Sequence, residues 1–249
     1  ELLDILSNQQ APMTLRELYQ ASGYPKSTIY ALLSTLRAYG CIRQESDGRY
    51  YLGTKLFQWG CSVSASWDIT RLARPYLERL ARDTGSTALL SRVEGSSITV
   101  IDQCVSGAGI RVASEMGSHV SLYATSQGKL LLASLSDSAV RRLIPEGKLQ
   151  AFTPHTLTDL PALLADLERI RTQGYAIENG EYKIGLRSVS APVYSRENDI
   201  AYIVSAVGLF RRVESDEFDL VIRQTCDDAR ALSLQNGGGG CAEKPCLPL

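Results

Sequence analysis

Residues 23–36, Gly-Tyr-Pro-Lys-Ser-Thr-Ile-Tyr-Ala-Leu-Leu-Ser-Thr-Leu, constrain the fold of this chain more than any other stretch. Ile29, Leu32, Leu33 and Leu36 recur at i, i+3, i+4 and i+7, which places them on one buried face of a helix. Ser27, Tyr30, Ala31, Ser34 and Ala38 fall on the opposite face. That outer face carries hydroxyls in place of the Glu and Lys of an ordinary solvated helix. Small and hydroxylic side chains suit close approach to base edges and phosphates. Pro25 fits the first helical turn, where a missing N–H costs nothing, and Lys26, Ser27 and Thr28 follow beside the open amides of the helix start.

The flanking sequence supplies a setting for that helix. Thr14-Leu15-Arg16-Glu17 reads as a capping box that opens a short helix with Leu15, Leu18 and Tyr19 on its apolar side, and Gly23 ends it. Leu2, Leu3, Ile5 and Leu6 mark an earlier helix. Residues 41–45 and 49–52 read as two strands around an Asp47-Gly48 turn, the chemistry of a β-hairpin. Three helices followed by a hairpin make a winged helix-turn-helix. Arg43, Arg49 and Lys55 flank the wing, where they suit the phosphate backbone. The expected DNA-contacting set is therefore Lys26, Ser27, Thr28, Tyr30, Ser34, Arg43, Arg49 and Lys55. The plainer alternative is a small helical subdomain that uses the hairpin for packing alone.

A chain of 249 residues, 44% hydrophobic, is long enough for two packed domains. Its net charge is −1, and the first sixty residues hold six Lys/Arg against five Asp/Glu. Any positive field toward DNA must then come from local placement, and useful affinity calls for at least a dimer. No run reaches the ~18 apolar residues of a membrane span, and no charged-then-apolar leader opens the sequence, so a cytoplasmic protein is expected. The six cysteines include no CxxC pair and there are two histidines, a pattern that fits neither a zinc site nor a disulfide framework. No metal and no cofactor are expected. The sequence starts inside a helical pattern without Met, so a preceding segment is expected, and residues 236–249, with four successive glycines, read as a flexible tail outside the fold.

Between the two domains, residues 54–67 carry Leu56, Trp59 and Val63 at helical spacing, which suggests a linker helix with Phe57 and Trp59 set against a partner subunit. Ile69, Leu72, Tyr76, Leu77 and Leu80 continue as a second stripe, with a kink expected at Pro75. After Gly85 the period changes to that of strands, at 87–93, 97–105 and 110–114. Helices are expected at 125–135, 137–144 and 159–173, strands at 175–179, 189–194 and 200–208, and a last helix at 215–234. Hairpin-spaced strands with helices inserted between them predict an α+β domain with a largely antiparallel sheet.

Four motifs, in order, resemble the IclR family of bacterial transcriptional regulators: residues 23–30 in the recognition helix, 47–53 in the wing, 123–133 (Tyr-Ala-Thr-Ser-Gln-Gly-Lys-Leu-Leu-Leu-Ala) and 181–193 (Glu-Tyr-Lys-Ile-Gly-Leu-Arg-Ser-Val-Ser-Ala-Pro-Val). The resemblance covers residues 1 to about 235. It implies a winged-helix domain over 1–53, a dimerising linker helix over 54–67 and a GAF-like effector domain over 68–235, in a homodimer and often a dimer of dimers. It further implies control, usually repression, of operons for small organic acids, aromatics or sugar derivatives, with operator double-stranded DNA and a small-molecule effector as partners. Carried over by position, the effector set is Ser126, Gln127, Glu178, Ser188, Ser205 and Val207.

Some of these positions depart from the family pattern. Ser188 stands where many members have Cys, Val207 where a second serine often follows Ser205, Gln127 where a small residue is usual, and Ala31 where Arg is common. The loss of a donor at Val207 and the added amide at Gln127 favour a neutral or partly apolar effector over a compact acid. The bland alternatives are that Val207 is sheet core, Gln127 faces solvent and Glu178 is a solvated strand-end carboxylate. His119 and His155 read as surface or capping residues, Cys104 as core and Arg187 as the structural partner of an acid. Effector binding is expected to shift the spacing of paired winged helices relative to two half-sites ~34 Å apart. Two rival classes remain: a constitutive DNA- or protein-binding module without effector, and an enzyme built on Ser188, Glu178 and Lys183.

Overall fold

The computed structural model describes residues 1–9, 12–65, 68–106, 120–145 and 147–237, in two compact units, Glu1–Asp68 and Ile69–Leu249. The expected strand at 110–114, His119, and most of the tail lie outside the described residues.

In the first unit, helices α1 (Leu2–Asn8), α2 (Leu15–Ser22) and α3 (Lys26–Ala38) are followed by strands β1 (Ile42–Gln44) and β2 (Tyr50–Leu52) and helix α4 (Thr54–Ala65). The capping box forms as the sequence predicts: Thr14 N–H donates to Glu17 Oε2 at 2.6 Å and Glu17 N–H to Thr14 Oγ1 at 3.3 Å. Gly23 closes α2 with φ 69°, a conformation that favours glycine. Leu2, Leu6, Met13, Leu18, Ile29, Leu33, Ile42 and Tyr50 make the core. The hairpin is pinned to it by reciprocal hydrogen bonds between Met13 and Tyr50.

Two sequence expectations change here. Leu32 is 42% exposed, because it lies about 60° round the helix from Ile29 and the small core closes over Ile29 and Leu33 only. Pro25 occupies the N-cap of α3 and not its first turn, with extended backbone that leaves the helix to begin at Lys26.

The second unit contains α5 (Asp68–Thr84), β3 (Thr87–Glu94), β4 (Ser97–Val105), α6 (Ser126–Ala133), α7 (Asp137–Leu143), α8 (Leu160–Gln173), β5 (Ala176–Asn179), β6 (Arg187–Tyr194), β7 (Ile200–Gly208) and α9 (Asp216–Gln235). The strands form one sheet in the order β4-β3-β7-β6-β5, antiparallel at every pairing. The fold is thus α+β, a helix-turn-helix unit followed by an antiparallel-sheet domain. α5 continues past Pro75 to Thr84, so the proline does not end it.

Strand alternation sends residues to two different layers. Arg74 on α5 reaches Asp102 on one face at 2.7 Å, and Arg79 pairs with buried Asp228 on α9, so α5 and α9 share that face. α6, α7 and α8 cover the other, where Leu130, Leu132, Val140, Leu163 and Leu167 pack with Ile98, Ala176 and Ile203 of the sheet. Gly128 lets α6 dock: a Cβ there would stand 2.2 Å from Ser121 O and 2.4 Å from Leu122 Cα.

Candidate effector pocket and DNA-reading surface

The outward face of α3 is built as its periodicity requires. Lys26, Ser27, Thr28, Tyr30 and Ser34 are all exposed, and no side chain caps the helix start. Lys26 Nζ stands 5.4 Å above the Tyr19 ring, which holds the ammonium near the first turn.

The wing cations behave differently from one another. Arg43 is exposed, pairs with Glu45 and lies 4.4 Å from the Tyr51 ring centroid. Lys55 is half-buried, 5.9 Å from the Trp59 ring. Arg49 turns inward: its guanidinium donates to Pro12 O at 2.8 Å and to Glu17 at 3.4 Å, tying the wing to the capping box. The backbone and hydroxyl hydrogen bonds from Thr14 hold the Glu17 carboxyl below its usual range, with Arg49 adding to the effect.

In the second unit, Thr125 caps α6 by accepting from Gly128 N–H at 3.1 Å while its hydroxyl donates to Ser121 O at 2.7 Å. The cap aims the first turn of α6 at the sheet. Ser126 Oγ there meets Ser188 Oγ and Ser190 Oγ of β6, each at 2.7 Å, and Ser190 Oγ meets Ser205 Oγ of β7 at 2.7 Å. Ser188 also donates to Glu178 Oε2 at 3.2 Å. The register accounts for this row, since Glu178 opposes Ser188, which opposes Val207, while Ser190 opposes Ser205.

Glu178 is 1% exposed. Its Oε1 accepts the backbone N–H groups of Glu181 at 2.7 Å and Tyr182 at 3.1 Å, so the solvated alternative fails. Burial pushes its carboxyl above the usual range, against the lowering effect of those amides and the Ser188 hydroxyl. Gln127 is buried too, and its Oε1 finds no hydrogen-bond partner among the described residues. Val207 joins Leu89 and Val100 in an apolar patch, with Val120 and Leu186 packed against it.

Val120 also lines a cleft of about 480 Å³ walled by Leu122, Tyr123, Ile144, Phe152 and Tyr182. The Phe152 ring lies 5.8 Å from Tyr123 and 5.2 Å from Tyr182. Tyr182, on this wall, is the residue whose N–H reaches Glu178. The cleft thus shares Val120 with the apolar patch and, through Tyr182, adjoins the turn that holds Glu178, while the serine row itself is buried.

Sequence reasoning missed three parts of this arrangement. Ser190 is the middle of the serine row, and its period-two spacing from Ser188 was the available signal. Lys129 is 1% exposed and sits between Glu181 at 2.6 Å and Asp166 at 2.9 Å, just before the apolar run Leu130 to Ala133. Thr153 and Thr156 clasp the turn after β5 by donating to Gly180 O and Glu181 O, both at 2.6 Å. Arg187 departs from the expectation, for it donates to Asn179 Oδ1 and Phe210 O and pairs with no acid among the described residues. Cys104 is core as expected, though its Sγ lies 3.1 Å from Arg74 and burial pushes its thiol up. His155 is exposed.

No group of three or more His, Cys, Asp or Glu among the described residues is placed to hold a metal ion. No described helix is long and apolar enough to cross a membrane.

Residues 61–234 match the description "Bacterial transcriptional regulator IclR C-terminal", and residues 1–46 match "IclR helix-turn-helix domain". The HTH-type transcriptional regulator XynR of Escherichia coli K12 is 32% identical over 238 residues, 95% of this chain and 94% of its own length. The HTH-type transcriptional repressor AllR of Escherichia coli K12 is 30% identical over 214 residues, 86% of this chain and 79% of its own. Among solved structures, an IclR transcriptional regulator from Alicyclobacillus acidocaldarius superposes with a TM-score of 0.82 at 27% identity, covering 95% of this chain and 96% of that one.

Proposed function

This chain belongs to the IclR family of bacterial transcriptional regulators, and from that premise we propose that it is an effector-responsive repressor of an operon for small-molecule uptake or breakdown. Its relatives are regulators and not enzymes. The observation that carries the finer reading is the buried row of Ser126, Ser188, Ser190 and Ser205 ending on Glu178, laid beside an aromatic cleft and an apolar patch. Such a floor offers oriented hydrogen bonding to a compact ring or chain of a small organic acid, aromatic or sugar derivative.

On this reading Lys26, Ser27, Thr28, Tyr30 and Ser34 contact operator DNA, with Arg43 and Lys55 on flanking phosphates. Ser126, Gln127, Glu178, Ser188, Ser205 and Val207 form the effector site. Phe57, 74% exposed, and Trp59 on α4 provide an apolar face for a homodimer, and dimers pair further into a tetramer, in the cytoplasm. Effector binding shifts the population of paired winged helices toward a spacing that misses the two half-sites.

Two alanine variants test the division of labour. Ser27→Ala weakens specific operator binding in a gel shift and leaves effector binding by calorimetry intact. Ser126→Ala does the reverse. A folded Ser126→Ala protein that still releases operator with effector like the parent would count against this effector site, and a parent chain that no small molecule releases from operator would favour a constitutive DNA-binding module.

A further inference from the structure

Five oxygens run in one line across the sheet: Glu178 Oε2, then the Oγ atoms of Ser188, Ser126, Ser190 and Ser205, at successive separations of 3.2, 2.7, 2.7 and 2.7 Å. The line contains four hydrogen bonds, and each serine hydroxyl owns one proton. An ionised carboxylate only accepts, so Ser188 donates to Glu178. Ser126 must then donate to Ser188, Ser190 to Ser126 and Ser205 to Ser190. Every hydroxyl proton is committed, and Ser205 at the far end offers lone pairs alone. A protonated Glu178 reverses the line. It donates to Ser188, each hydroxyl donates to the next, and Ser205 is left with a free O–H.

Ser205 stands beside Leu89, its register partner on β3, at the apolar patch with Val100 and Val207. Unsatisfied polar atoms border the same elements. Gln127 Oε1, next to Ser126, and Ser91 Oγ, opposite Val100 on β3, are buried without a hydrogen-bond partner among the described residues. Both atoms keep hydrogen-bonding capacity that a ligand or a water can take up.

We propose that Glu178 sets the charge class of the effector: while it is ionised the serine line accepts a hydrogen bond from a neutral hydroxyl or N–H ligand, and a carboxylate ligand binds only with uptake of one proton on Glu178. This rests on the effector-site reading above. The charged groups around Glu178 support it. Glu181, in the turn after β5, is already held by Lys129 of α6, and Lys129 is shared with Asp166 of α8. Lys183 lies over the Tyr182 ring at 5.8 Å, and Arg187 of β6 is engaged by Asn179 and Phe210. Glu178 has no ion-pair partner among the described residues. Burial raises its carboxyl above the usual range, which favours the protonated form relative to an exposed glutamate.

The test uses the full chain and matched pairs of probes: benzoate with benzyl alcohol, 4-hydroxybenzoate with 4-hydroxybenzyl alcohol, and glycolate with ethylene glycol. Calorimetry is run at about pH 6 and about pH 8, where these carboxylates are ionised throughout. Alcohols that bind are expected to do so equally at both values. Carboxylates that bind are expected to weaken by up to about tenfold per pH unit and to take up about one proton. Glu178→Gln, whose amide can donate to Ser188, is expected to abolish that slope. If this variant fails to fold, Ser205→Ala, at the other end of the line, is expected to abolish it too. A carboxylate whose affinity is the same at both pH values overturns the proposal while leaving the effector site standing. A pH slope that survives both variants also overturns it. Absence of binding by every probe of either class counts against the effector site itself and takes the proposal with it.

Discussion

Lys129 and Glu181 form a buried ion pair, 2.6 Å between Nζ and Oε1, that fastens α6 to the turn following β5. The helix in this pair presents Ser126 to the sheet, and the turn supplies the two N–H groups that hold Glu178. The candidate effector floor is thus framed by one salt bridge between its two halves.

Lys129→Met removes the shared cation from Glu181 and Asp166 together. Breaking a buried pair from one side costs about 3–5 kcal/mol, because an uncompensated charge stays behind. Urea denaturation of the variant should show a loss of that size. A loss below about 1 kcal/mol, typical of an exposed pair, would contradict the framing role.

Gly128→Ala drives a methyl group into backbone atoms, Ser121 O and Leu122 Cα, that no side-chain rotation can clear. The expected cost is about 1–3 kcal/mol, with α6 displaced from its seat. Ala in place of Gly60 of α4, where a Cβ would meet nothing within 4 Å, is the matched control and should not destabilise.

The salt dependence of binding to a random-sequence duplex separates the basic residues of the first unit. Each phosphate contact contributes about 0.9 to the slope of log K against log salt. Lys26→Ala should lower the slope by about that amount. Arg49→Ala should leave it unchanged, since that guanidinium is engaged by Pro12 and Glu17.

Glu178, Glu181, Asp102 and Asp228 all have carboxyls raised chiefly by burial. Between the unfolded pKa, about 3.9–4.3, and the higher folded one, the folded chain keeps protons that the unfolded chain has released. Stability therefore falls as pH rises through that window. Urea midpoints should fall as pH is raised through the window above the unfolded pKa, and Glu178→Gln should flatten that fall.

Local chemistry made much of the fold legible. The Thr14 to Glu17 capping box, the Asp47-Gly48 turn and the Val-, Ile-, Leu- and Thr-rich strands β3, β4 and β7 each follow from short-range rules, and their residues lie where those rules place them. Leu32 escaped because helical spacing defines a stripe but not how much of it a small core can cover. Ser190 and Lys129 escaped for a longer-range reason. Their partners are 64 and 52 residues away in the chain, and a serine in a strand or a lysine before an apolar run has no local mark of being buried. Arg49 was legible as a cation near the wing, but its inward turn depends on Pro12, 37 residues upstream.

The central claim is that a ligand held in the second unit changes how the first unit binds its operator. Fluorescence anisotropy of labelled operator, titrated with protein in the presence and absence of an effector identified by calorimetry, reads this directly. The account predicts an operator Kd raised at least about tenfold by saturating effector, which corresponds to about 1.4 kcal/mol of coupling. An effector that saturates the protein and leaves the operator Kd unchanged would contradict it.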